Sequence, residues 1–156
     1  LHLDPGWANN SIVSLRGHMN VERPLPAADS LTEPYWAGAR EHKLMLPRCG
    51  DCGRHHFYPR SVCPHCGSDR LEWAEVSGHG TVYSFTIVHR APSPAFAADV
   101  PYVVALVALE EGPHLMSNIV HCTPDAVRVG MAVRVAFREI GDAVTLPVFE
   151  PHAPQA

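Results

Sequence analysis

The sequence predicts a mainly β chain, with one short helix near its start, a small cysteine-rich module and a five-stranded barrel behind it. Three observations predict this. Fifteen prolines and eleven glycines among 156 residues keep the elements short. Four of the five cysteines fall in two tight pairs between residues 49 and 66. From residue 71 onward, runs of five to ten residues rich in Val, Ile, Thr, Tyr and Phe alternate with turn residues.

The helix is expected after a proline-rich extended stretch at residues 20–29. Ser30 and Thr32 can cap it, Glu33 suits its first turn, and Pro34 is tolerated there because that position's N–H would lack a partner. Tyr35, Trp36, Ala39 and Leu44 follow at helical spacing, which predicts about three turns ending before Pro47. The aromatic pair either packs on the same chain or docks on a partner. Further upstream, Gly17-His18-Met19 resembles a cloning junction, so residues 1–18 are expected to be vector-derived or disordered. They show no basic start followed by an apolar core, so a secretory signal is not expected there.

The cysteine module is expected over 44–70. Cys49-Gly50-Asp51-Cys52-Gly53 and Cys63-Pro64-His65-Cys66-Gly67 are two C-x-x-C-G knuckles ten residues apart. Each pair can aim both sulfurs at one ion, and the following glycine permits the positive φ that closes the turn. Four thiolates fill a tetrahedron and leave no open position, so a metal here is structural. Zn²⁺ suits this cage, and iron would give a rubredoxin-like centre. With four sulfurs available, the neighbouring His55, His56 and His65 read as surface or packing residues. Two pairs plus one remainder, Cys122, make a poor disulfide framework and point to a reducing, cytoplasmic setting.

The barrel is expected over 71–150, followed by a short tail at 151–156. Its first strand runs from Leu71 through a bend or bulge at Ser77-Gly78-His79-Gly80 to Arg90, with Val82, Ser84, Thr86 and Val88 facing away from Tyr83, Phe85, Ile87 and His89. A long loop at 91–101 separates it from Tyr102–Glu110, which turns at Glu111-Gly112-Pro113 into His114–Val120. Thr123-Pro124-Asp125 opens a helical turn, and Ala132–Ile140 and Val144–Phe149 pair across Gly141-Asp142. Five strands with a helical turn between the third and fourth fit a Greek-key barrel of the OB type; an open sandwich is the competing fold.

Taken together, Tyr35-Trp36, the two knuckles, Tyr58-Pro59-Arg60, Trp73, Gly80-Thr81-Val82-Tyr83-Ser84, His89-Arg90 and Pro101–Val107 resemble a domain-of-unknown-function family. So do Glu111-Gly112-Pro113, Val129-Gly130-Met131 and Leu146-Pro147-Val148-Phe149. Members pair a rubredoxin-like zinc ribbon with a C-terminal OB-fold. The resemblance implies a non-catalytic accessory subunit that binds a thiolase-like enzyme and helps hold acyl-CoA, in complexes of thiolase, acyltransferase or steroid side-chain retro-aldolase type. It also implies a hetero-oligomer, or a homodimer when alone. Candidate contacts to ligand or partner are Tyr35, Trp36, Arg60, Tyr83, Phe85, His89 and Arg90.

Arg48, Arg54, Arg60, Arg70 and Arg90 cluster in sequence and either hold the phosphates of coenzyme A or solvate a surface. Two other classes of function compete. Zinc ribbons and OB barrels also bind single-stranded nucleic acid, but the formal net charge of −4 is a poor match to phosphate backbones. A stand-alone acyl-CoA enzyme would draw on His89 or on Cys122 after His121, yet no catalytic motif accompanies them. A membrane span is not expected, because the longest apolar run, Tyr102–Leu109, has the length of a strand.

Overall fold

The computed structural model describes residues 23–140 and 144–152. The expected leader at 1–18, the Gly141-Asp142 turn and most of the tail lie outside them. Among the described residues there is one α-helix, α1 (Glu33–Arg40), and seven strands: β1 (Met45–Cys49), β2 (Leu71–Glu75), β3 (His79–Val88), β4 (Tyr102–Leu109), β5 (His114–Ile119), β6 (Ala132–Ile140) and β7 (Val144–Pro151). Short 3₁₀ turns occupy Pro94–Phe96 in the long loop and Pro124–Ala126.

The helix starts where the sequence places it but is shorter. Thr32 is the N-cap residue, as the sequence allows, but its side chain makes no capping hydrogen bond; Asp29 organises the turn before it, its carboxylate accepting from the Leu31 and Thr32 N–H groups and its carbonyl from Glu33. The helix ends at Arg40, and His42 then adopts a left-handed conformation with φ 59° while Lys43 N–H returns to the Gly38 carbonyl. Leu44 therefore belongs to the ribbon, and Pro47 lies inside β1. Eight residues are too few for a stable free helix. Burial of Tyr35 and Ala39 against the rest of the chain holds it.

β1 and β2 form their own antiparallel ladder, from Met45 opposite Glu75 to Cys49 opposite Leu71. Leu71–Glu75 is thus not the first half of a barrel strand, as the sequence suggests, but the second strand of the ribbon. The remaining five strands close into a barrel in the order β3-β4-β5-β7-β6, with β3 returning to β6. Only the β5–β7 closure is parallel, through Ile119 and Phe149. This is the OB arrangement, and the open sandwich is excluded.

Inside β3 a register shift between Val82 and Ser84 bulges the strand at Tyr83. The alternation expected from sequence breaks there. Val82 is buried, Tyr83 and Ser84 both face outward, and Phe85 and Ile87 turn toward the core. Gly80 lets β3 approach β4 closely: a Cβ there would sit 2.5 Å from the Ala108 carbonyl oxygen. Phe149, Leu115, Val82, Val107 and Val133 fill the barrel, and Tyr35, Leu44, Leu46 and Val76 extend the same apolar cluster into the helix and ribbon.

A candidate metal centre and its surroundings

The four paired cysteines meet at the tip of the ribbon. Cys49 ends β1, and the others lie on the two knuckles. The knuckles repeat one hydrogen-bond pattern. Gly53 N–H donates to the Cys49 carbonyl and Gly67 N–H to that of Cys63, both at 2.9 Å. Cys49 N–H reaches Arg54 and Cys63 N–H reaches Ser68, at 3.0 and 2.7 Å. Both glycines take positive φ, 71° and 77°, as the spacing requires.

The sulfurs lie 3.6 Å apart for Cys49–Cys66 and 3.7 Å for Cys52–Cys63, and all four fall within 4.8 Å of one another. Four thiolates at about 2.3 Å from a central Zn²⁺ define a tetrahedron with edges of about 3.8 Å, so the cage has the right size for such an ion. Its electrostatics ask for one. Backbone N–H groups of Cys52 and Asp51 hold the Cys49 thiol down at about 6. At Cys66 the Ser68 N–H acts in the same direction, but hydrogen bonding with Cys49, burial, and the nearby Cys52 and Cys63 sulfurs push it up to about 12. Four crowded thiols cannot all ionise without a cation among them.

The Arg cluster divides into two groups. Arg48 pairs with Glu72 at 3.4 Å and Arg70 pairs with Asp51, so both brace the ribbon. Arg54, Arg60 and Arg90 are exposed and make no ion pair among the described residues. The other candidates scatter. Tyr35 is buried with 8% exposure, its ring edge-on to Trp36 at 5.0 Å and tilted on Phe57 at 5.6 Å. Burial raises its hydroxyl's pKa. Trp36 and Phe85 are half-buried against the same cluster, so these three serve packing first. Tyr83 is 60% exposed, and His89 and Arg90 lie exposed just past β3. Cys122 is half-buried, and burial raises its pKa, the opposite of an activated nucleophile.

One feature escaped the sequence. His56 is 4% exposed, yet neither ring nitrogen meets a hydrogen-bond partner. Burial, with the charges of His65, Arg60 and His55 adding to it, lowers its pKa. It lines a cleft of about 440 Å³ between the ribbon and the β4–β5 turn, where Glu111 also leaves one buried carboxylate oxygen, Oε2, without a partner. The other oxygen of Glu111 accepts from Ser77 N–H at 2.6 Å and so fastens the ribbon–barrel connection. No sequence signal could link a histidine after the first knuckle to a glutamate in a hairpin turn 55 residues later.

A thiolate-caged ribbon fused to an OB barrel defines a class of two-part metal-binding proteins. Within that class, the model described as "ChsH2, rubredoxin-like zinc ribbon domain" matches residues 36–72, and "ChsH2, C-terminal OB-fold domain" matches 73–138. A DUF35 domain-containing scaffold protein of Methanocaldococcus jannaschii is 37% identical over 114 residues, covering 72% of this chain and 80% of the relative. The chain belongs to this DUF35 family. A probable enoyl-CoA hydratase alpha subunit of Thermomonospora curvata is 41% identical over 133 residues, which is 85% of this chain; the chain spans 41% of that relative's length. Among solved structures, the Ltp2-ChsH2(DUF35) aldolase matches with TM-score 0.74 and 39% identity, covering 81% of this chain and 98% of that one.

Proposed function

We propose that this chain is a non-catalytic accessory subunit that docks on a thiolase-like enzyme and helps enclose its acyl-CoA substrate. The observation that carries the reading is the match over 98% of a chain of the Ltp2-ChsH2(DUF35) aldolase, at 39% identity. A relative named as a scaffold protein supports the accessory role, and one named as an enoyl-CoA hydratase subunit supports an acyl-CoA setting.

In this reading Cys49, Cys52, Cys63 and Cys66 hold one structural Zn²⁺. Bound there, the ion supplies rigidity and charge compensation rather than reactivity, because four sulfur ligands leave no position for water or substrate. Iron would fit the same cage, and metal analysis separates the two. The ribbon then presents Arg60, and the barrel presents Tyr83, His89 and Arg90, as exposed groups able to meet partner or coenzyme. Arg60 and Arg90, unlike Arg48 and Arg70, are free among the described residues to take a phosphate. No helix among the described residues is long and apolar enough to cross a membrane. The setting proposed is the cytoplasm, whose reducing conditions keep the thiolates available.

Co-expression with the thiolase-like protein of the same cell tests this. Co-elution as a hetero-oligomer, together with a change in the partner's acyl-CoA turnover, is the expected result. A chain that elutes alone and leaves that turnover unchanged would overturn the reading.

A further inference from the structure

The barrel carries a second polar site, to which no residue of the cysteine ribbon contributes. Five parts of the chain close around a pocket of about 200 Å³: the segment before α1 supplies Arg23, the 91–101 loop Phe96 and Asp99, the start of β4 Tyr102, the end of β5 Asn118, and β6 Arg138. Pairing of β4 with β5 sets Asn118 opposite Val104, beside the start of β4, and its Nδ2 donates to the Val103 carbonyl at 2.9 Å.

Arg23 is fixed by three contacts. Its Nε donates to the Ala95 carbonyl at 3.2 Å, its Nη2 pairs with Asp99 at 2.5 Å, and its guanidinium lies over the Phe96 ring at 4.9 Å. A guanidinium held in this way has given up its rotamer freedom before any ligand arrives. Its Nη1 has no partner among the described residues. Arg138 is exposed on β6 and makes neither an ion pair nor a side-chain hydrogen bond among the described residues, and the Tyr102 hydroxyl makes no hydrogen bond either.

The lining is therefore one-sided in charge. Two guanidiniums face one carboxylate, Asp99, and that carboxylate is already bound by Arg23. The pocket keeps a net positive charge in a chain whose formal net charge is −4. Its unmet groups are donors, and what completes them is an anion that only accepts. A planar carboxylate is satisfied by a single guanidinium fork. Donors that converge from Arg23, Tyr102 and Arg138, on three separate elements, suit instead an anion whose oxygens point in more than two directions. The volume holds one phosphoryl group with a few waters, at about 30 Å³ per water.

We propose that this pocket binds a phosphoryl group, free or carried on a coenzyme, with Arg23, Arg138 and Tyr102 as its donors. Arg60 and Arg90 lie outside it, so the site is distinct from those exposed arginines. The pocket is complete in this chain alone, and it stands or falls independently of the accessory reading.

The test uses the full, metal-loaded chain without a partner. Titration with inorganic phosphate, followed by backbone amide NMR, should shift Phe96, Asp99, Tyr102 and Asn118 saturably. Arg138→Gln and Arg23→Gln should each weaken binding about tenfold or more, because each removes a charge-assisted hydrogen bond. Arg138→Gln changes an exposed side chain and should leave metal content and melting temperature unaltered. Arg54→Gln removes an exposed arginine of the ribbon and should leave phosphate binding unaltered. Coenzyme A and dephospho-coenzyme A then identify the source. Tighter binding of coenzyme A than of phosphate, lost in Arg138→Gln, assigns the group to the coenzyme, to its terminal phosphate if dephospho-coenzyme A loses the gain and to its diphosphate if it does not. Coenzyme A that binds no better than phosphate assigns the pocket to the free anion. The inference is overturned if neither phosphate nor coenzyme A gives a saturable shift, if Arg138→Gln leaves binding intact, or if Arg54→Gln weakens it as much.

Discussion

The two halves of the molecule are held by different physics. The barrel is built around side chains that exclude water: Phe149, Leu115, Val82, Val107 and Val133 are each 1% exposed or less, and they bind five strands drawn from some seventy residues. The ribbon has two strands of five residues and two knuckles. Apart from the buried Pro47 and Pro59, two of its four buried apolar side chains, Cys49 and Cys63, are themselves members of the thiolate cage. Leu44 and Leu46 supply the rest, and they merge with the barrel's cluster rather than forming a separate core. Small units of this kind depend on cross-links or metal. The ribbon should therefore come apart when its metal is lost while the barrel survives.

Metal removal should break the symmetry most strongly. Structural zinc of this type contributes on the order of 10–16 kcal/mol of binding free energy that is also folding free energy. A strong chelator, or Cys63→Ser, should abolish amide protection across residues 45–75 while the ladder between β3 and β4 stays protected. Hydrogen exchange read by mass spectrometry checks this, and equal loss in both halves would contradict the division.

The converse experiment attacks the barrel. Phe149 is fully buried and sits at the parallel closure of β5 and β7. Phe149→Ala should destabilise the fold by about 3–5 kcal/mol through lost burial and a residual cavity. Denaturant unfolding measures the loss, and the metal stoichiometry of the folded fraction should stay the same.

A smaller effect sharpens the electrostatic side. Hydrogen bonds from His121 and Arg134 hold the Glu150 carboxyl below its ordinary value of 4.5. A carboxylate whose folded value is depressed adds stability that is fully present above 4.5 and is lost as the pH falls through the lower folded value. The group is near the surface, so the increment is at most about 1 kcal/mol. Thermal melts of wild type and Glu150→Gln should therefore differ most above pH 5 and converge toward pH 3.

Much of the architecture was legible in the sequence because its signals are local. Each knuckle announces itself within five residues, and β4 alternates buried and half-buried positions as its Val-rich pattern requires. What could not be read depends on distant pairing. Leu71–Glu75 looks like any half-apolar strand, and only the ladder with Met45–Cys49 assigns it to the ribbon. The bulge at Tyr83 arises from the pairing of β3 with β4, so a strict period of two put Phe85 and Tyr83 on one face when they lie on different ones. The helix ends through the left-handed His42, whereas the sequence offers Pro47 as the visible stop. Of the site candidates, the four cysteines came together, while Tyr35 and Trp36 went into packing and the His56–Glu111 cleft was invisible beforehand.

In the proposed function, a metal held by the four cysteines stiffens a weakly cored ribbon so that ribbon and barrel together offer a fixed surface to a larger enzyme. Native mass spectrometry of the complex with the proposed thiolase-like partner, before and after metal is withdrawn, tests that claim directly. One metal ion per DUF35 chain, with release of the partner when the ion is lost, is the predicted result. A complex that forms without metal, or that persists unchanged when the ion is withdrawn, would contradict it.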